Sequence, residues 1–185
     1  MQRIRIKFTK QGLLKFISHR DLMRLIERAL RRAELPMALS SGFNPHPKIS
    51  FASALSVGVS SLSEYADITL SWRVPPREVL NRLNKKLPFQ VRVLEAKEVS
   101  LSSPSLTSTI NVAEYRVRVS VNANRKLVFD VTCLLDKNRV KPENVIEAIG
   151  KYNGLELKIE EIERTALYAR EGGNLAYQRD SYRGR

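Results

Sequence analysis

Ile4, Ile6 and Phe8 alternate with Arg3, Arg5 and Lys7, and Gln11-Gly12 ends the run. A period of two predicts a strand with one apolar and one basic face. Ser18-His-Arg-Asp21 opens a helix, with Ser18 as N-cap and Asp21 favouring the positive helix end. The helix runs to about Ala33, before Pro36. Leu22, Leu25, Ile26, Ala29, Leu30 and Ala33 share one arc, and Arg20, Arg24, Glu27, Arg28 and Arg31 share the opposite one. Turn residues make Ser40 to Lys48 a loop. From Ile49 to Val59 bulky residues alternate with Ser50, Ala52, Ala54, Ser56 and Gly58, which predicts an extended segment with one face of small residues. Tyr65 to Trp72 reads as a strand with Ala66, Ile68, Leu70 and Trp72 inward. Pro75-Pro76 starts a helix that ends before Pro88, and Phe89, Val91 and Val93 form the next strand, with Arg92 on its other face.

A serine-rich stretch, 100–109, is the clearest shift in composition. Beyond it Tyr115, Val117, Val119 and Val121 alternate with Arg116, Arg118 and Ser120. Asn122-Ala-Asn124 suits a hairpin turn into Leu127, Phe129 and Val131. Pro142 to about Lys151 predicts a helix closed by Asn153-Gly154, and Leu155, Leu157 and Ile159 begin a last strand. The order is β-α-β-β-α-β followed by β-β-α-β. This predicts an α+β protein of two ferredoxin-like halves, the second partial, with antiparallel sheets and helices on one face. The expected organisation is a basic domain over 1–99, a linker over 100–111, a second domain over 112–169 and a tail over 170–185.

Charge and cysteine content narrow the function. The chain carries a net charge of +13, and its first 50 residues hold 11 basic and 3 acidic side chains. An uneven positive field of this size points to a polyanion, nucleic acid before membrane. Cys133 is the single cysteine, so the chain has no internal disulfide and no thiolate zinc or iron–sulfur site of its own. Two histidines and scattered carboxylates argue against a metal centre or a resident cofactor. There is no apolar run of membrane-spanning length and no signal-peptide core, so the expected compartment is the cytoplasm.

Five stretches carry a family resemblance: Phe16-Ile-Ser-His-Arg-Asp-Leu-Met-Arg24, Ser41-Gly-Phe-Asn-Pro-His-Pro-Lys-Ile-Ser-Phe51, Val57-Gly58, Glu64-Tyr-Ala-Asp67 and Arg164-Thr-Ala-Leu-Tyr168. On these residues the chain resembles the radical-SAM-linked family of bacteria. That family is encoded beside, or fused to, a B12-binding radical SAM protein, so the resemblance implies such a partner. At the level of architecture, two ferredoxin-like halves with basic features also resemble the CRISPR repeat-processing endoribonucleases, which cut RNA without metal.

Three constellations are candidates for chemistry. Arg20, Arg24, Arg28 and Arg31 form a row on one helix that can meet successive phosphates; the bland alternative is a solvated helix face. Arg3, Arg5 and Lys7 line a strand face that suits backbone contact more than base reading, unless the second half packs over it. His19, in a helix first turn, and His46, held between Pro45 and Pro47 beside Lys48, are the candidate catalytic residues, since one histidine base with a nearby lysine is adequate for attack by a 2′-hydroxyl. Their alternative roles are a cap and a loop hydrogen bond. The expected function is an RNA-binding accessory protein to a radical SAM enzyme, in tRNA or rRNA modification or processing, and a binder rather than an enzyme. The alternatives are a metal-independent ribonuclease and a protein-interaction module that docks through Ser50 to Gly58.

Overall fold

The computed structural model describes residues 1–121, 125–135 and 140–169. The expected turn at 122–124 and the tail at 170–185 lie outside the described residues. The strands are β1 (Gln2–Lys10), β2 (Ile49–Phe51), β3 (Ser60–Leu70), β4 (Val93–Val99), β5 (Val112–Val121), β6 (Arg125–Leu134) and β7 (Leu157–Tyr168). The helices are α1 (His19–Arg32), α2 (Pro76–Asn84), α3 (Leu106–Thr109) and α4 (Pro142–Asn153), with a 3-10 turn at Gly12–Phe16.

The α+β class expected from the alternation is the one observed. β1 is central, antiparallel to β3 on one side and β4 on the other, and β2 pairs with β3. The order β4-β1-β3-β2 is that of a complete ferredoxin-like unit. In the second half β5 lies between β7 and β6. This matches the β4-β1-β3 part of the first half, without a counterpart of α1 and β2.

Separate sheets were expected for the halves, but they share one. β7 runs parallel to β3 and pairs with it at Ser60–Glu163 and Ser61–Arg164, giving the order β4-β1-β3-β7-β5-β6. The second half therefore extends the first sideways and does not pack on the basic face of β1. Gln11 helps fix the junction: its Nε2 donates to the Ser61 carbonyl and to Glu163 Oε1, both at 3.1 Å.

All three long helices cover one face. Ile4, Ile6 and Phe8 of β1 meet Leu22, Ile26 and Leu30 of α1 and Val79 and Leu83 of α2. Phe8 pairs with Glu64, so Glu64 shares their face. Arg164 of β7 bonds Glu64 from that side and is in register with Tyr115, whose core neighbours include Ile146 of α4.

Local chemistry sets the helix ends. The Ser18 hydroxyl accepts from the Asp21 N–H at 3.2 Å and donates to the Asp21 carboxylate at 2.7 Å. α4 ends at Gly154, whose φ of +64° is the left-handed cap that glycine adopts at no steric cost.

Four expectations change. The long extended segment is a strand only over Ile49–Phe51; after it the chain bends, and Ala52, Leu55 and Val59 enter the second-half core. Trp72 is 65% exposed because β3 stops at Leu70 and the alternation no longer applies. β4 starts at Val93, so Arg92 precedes it and its N–H donates to Thr9 Oγ1. The serine-rich stretch expected as a linker is tied to both halves: Arg3 donates to the carbonyls of Leu101 and Ser103, and Leu106 is fully buried beside Ala52 in the second core.

Candidate nucleic-acid interface

The amphipathic pattern of α1 buries its apolar stripe and leaves Arg20, Arg24, Arg28 and Arg31 exposed. From Arg20 to Arg31 the row rises about 16 Å at 1.5 Å per residue. Arg24 lies 3.5 Å from Asp21, and Arg31 donates to Glu27 at 2.9 Å. Arg20 and Arg28 carry no ion pair among the described residues. Exposed pairs one turn apart are worth only a few tenths of a kcal/mol, about 0.3–0.5, and yield readily to a phosphate.

The basic face of β1 is different, because its cations are engaged within the fold. Arg5 makes two bonds to the buried Asp67, at 2.8 and 2.9 Å. Lys7 lies 3.7 Å from Glu95 and over the Tyr65 ring. Arg3 holds the two carbonyls of the 100–109 stretch. The same face continues into the second half as Arg116–Asp130 and Arg118–Glu161 pairs. A polyanion there would have to compete with carboxylates already in place.

The loop forms an excursion from the sheet edge. Ala38 N–H donates to the Thr69 carbonyl, Thr69 N–H to the Lys48 carbonyl and Lys48 N–H to the Ala38 carbonyl, at 2.9, 3.0 and 2.9 Å. Above this stem Leu39 bridges Pro47, Ser40 N–H donates to the His46 carbonyl, and His46 N–H donates to Ser40 Oγ. His46 and Lys48 are exposed. Gly42 has a φ of +128°, which only glycine adopts without strain.

The two histidines sit on different elements. The His19 ring packs edge-on against Phe51, at the downstream end of β2, with centroids 5.3 Å apart. His46 lies upstream of that strand, in the excursion. Among the described residues no hydrogen bond or ring contact joins them. Burial, together with Lys10 and Arg164, holds the His19 imidazole below its ordinary value, so it is neutral at pH 7.

At the seam of the halves lies a cluster that the sequence reading missed. Lys10, Glu64 and Arg164 are 0, 3 and 1% exposed. Arg164 donates to Glu64 at 3.0 and 3.3 Å, to the Tyr115 hydroxyl at 2.9 and 3.3 Å and to the Ala54 carbonyl at 3.2 Å. Lys10 donates to the carbonyls of Ile17 and Lys15, just ahead of α1. Burial pushes the Glu64 carboxyl up against the pull of Arg164 and the Ser61 hydroxyl, and burial pushes the Lys10 ammonium down. The signal was in the strand period. Lys10 continues the parity of Ile4, Ile6 and Phe8, and Glu64 that of Ala66, Ile68 and Leu70, so both charges fall on buried faces. Being enclosed, the cluster fastens the halves and offers nothing to a macromolecule.

Among the described residues no group of three or more His, Cys, Asp or Glu side chains is placed to hold a metal, and no helix is long and apolar enough to cross a membrane. A family described as "Uncharacterized protein conserved in bacteria (DUF2344)" matches residues 3–166. No curated protein matches the chain.

Proposed function

Because the chain belongs to that uncharacterized bacterial family over most of its length, where no activity is assigned, we propose from its surface that it binds RNA through α1 as an accessory protein to a radical SAM enzyme. The observation that carries the reading is the exposed row of Arg20, Arg24, Arg28 and Arg31 on a rigid helix. A row of guanidiniums suits consecutive phosphates, and folded single-stranded and duplex regions both present them. Lys48 adds a cation on the excursion. Arg3, Arg5 and Lys7, whose cations already have partners within the fold, come second to the α1 row as phosphate contacts.

The radical SAM partner rests on the motif resemblance. The ribonuclease alternative asks His46 or His19 to act as the base, with Lys48 near His46 in the chain, and RNA cleavage that persists in chelator and is lost in His46→Ala would favour it over binding. The docking alternative asks for an outward small-residue face; Ala52 is turned into the core, whereas Ser50, Ala54 and Ser56 are exposed, so that reading stays behind the binding one only because such small side chains add little apolar area to an interface.

The test uses the full chain and the Arg20→Glu/Arg28→Glu double variant, with RNA binding measured over a range of salt. Loss of two phosphate contacts lowers the slope of log K against log salt by about 2 and weakens binding at every sequence. Unchanged affinity in a folded double variant removes α1 from the interface. Co-purification of a radical SAM protein with the tagged full chain from its own cells tests the partnership separately.

A further inference from the structure

Between Glu34 and Glu64 the chain has no acidic residue, and the excursion of residues 39–47 lies within that span. It presents an apolar side chain to solvent. Phe43 is fully exposed, at 107%, and its ring meets no other ring among the described residues. A phenyl ring in water gains nothing for the fold. The backbone beneath it is nevertheless fixed, by the Ala38–Lys48–Thr69 stem, the Ser40–His46 bonds and the two prolines. A flat apolar ring on a loop closed by these bonds, with Asn44, His46 and Lys48 following it in the sequence and no carboxylate nearby in sequence, has the makings of a stacking platform.

From this, and resting on the RNA-binding reading above, we propose that Phe43 stacks on an unpaired base, so that the RNA recognised has a single-stranded segment beside the stretch held by α1. The stem of the excursion follows α1 directly in the chain, after Leu35 and Pro36. Stacking requires a base free of its own neighbours, which a duplex does not offer. Lys48 and the arginines take the flanking phosphates, whatever the sequence.

The test compares binding of a 12-nucleotide oligouridylate and a 12-base-pair RNA duplex by the full-length protein. Oligouridylate is used because its bases stack weakly on one another. Phe43→Ala should weaken oligouridylate binding about tenfold, leave duplex binding unchanged and keep the salt slope, whereas Phe43→Trp should retain the affinity. Arg20→Glu/Arg28→Glu should weaken both ligands and lower the slope. Equal oligouridylate affinity for Phe43→Ala and the parent protein overturns the stacking role and leaves the α1 reading standing. An equal loss for both RNAs also overturns it, since a ring that stacks on bases discriminates between them. If the parent protein binds neither RNA, the RNA-binding reading itself fails. Because Phe43 touches no core residue, its replacement leaves the fold intact, and a thermal melt checks this. Loss of a co-purifying protein with RNA binding unchanged would make the excursion a protein-docking tip instead.

Discussion

Replacing Glu64 by Gln should destabilise this protein more than replacing Arg164 by Met, although the two residues are partners. The enclosed cluster holds two cations, Lys10 and Arg164, and one anion, Glu64. Arg164→Met leaves Lys10 and Glu64 as one balanced pair, at the cost of the bonds to the Tyr115 hydroxyl and the Ala54 carbonyl. Glu64→Gln leaves two buried cations with no counter-charge. Removing one member of a buried pair costs about 3–5 kcal/mol. The imbalance puts Arg164→Met near the lower end of that range and Glu64→Gln near the upper end. For a chain of this size the larger loss lowers the melting temperature by on the order of 10 °C. Denaturant unfolding of the two single variants and the double variant gives the coupling directly. The double variant should cost less than the sum of the singles by about 2 kcal/mol, as expected for groups in contact. A Glu64→Gln variant within about 1 kcal/mol of the parent, or a double variant that is simply additive, would refute the account of the seam.

Asp67→Asn removes the charge that two Arg5 bonds depend on and should cost about 2 kcal/mol in unfolding experiments; a change below half of that would mean that Arg5 is held by packing alone. His19 has a folded pKa below its ordinary 6.5, so the unfolded chain binds the proton first and stability falls as the pH drops through 6.5. His19→Gln should reduce that loss between pH 7.5 and 5.5, and an identical pH slope in the variant would place the imidazole in water. Gly150→Ala brings a Cβ to 2.9 Å from the Leu155 carbonyl, so it should destabilise by about 1–3 kcal/mol despite the better helix propensity of alanine. A stabilised Gly150→Ala protein would show that the chain after α4 yields at little cost.

Much of the fold was legible because period and caps agree with what the core requires. The two-residue period of β1, the Ser18 cap of α1 and the Gly154 stop of α4 each have one physical solution, and each is observed. Side-by-side union of the halves was not legible, since a pairing of only Ser60 and Ser61 with Glu163 and Arg164 leaves no periodic trace. The bend after Phe51 was hidden for a related reason. Alternating small and large residues fit a strand, yet Ala52, Leu55 and Val59 serve equally in a turning segment that closes over the seam. Candidate site residues divided in the same way. Exposure of the α1 arginines follows directly from helical period, whereas the partners of Arg3, Arg5 and Lys7 come from Asp67, Glu95 and a distant connection, and only the folded chain reveals them.

The strand order also has a consequence for synthesis. Among the described residues β7 is the last of seven strands in chain order, yet it stands in the interior of the sheet, between β3 and β5. On the ribosome β1 to β4 can assemble as soon as they emerge, but one edge of β3 stays open at Ser60 and Ser61, and Glu64 faces Lys10 without Arg164. β5 and β6 can form their hairpin while their place in the sheet still waits. Only the arrival of residues 157–168 closes the gap and supplies the missing guanidinium. Until then the nascent chain carries an unpaired strand edge that other chains can join. A polar Ser60-Ser61 pair at that opening is a poor adhesive for apolar strands, which suits a stretch of backbone that must wait longest for its partner.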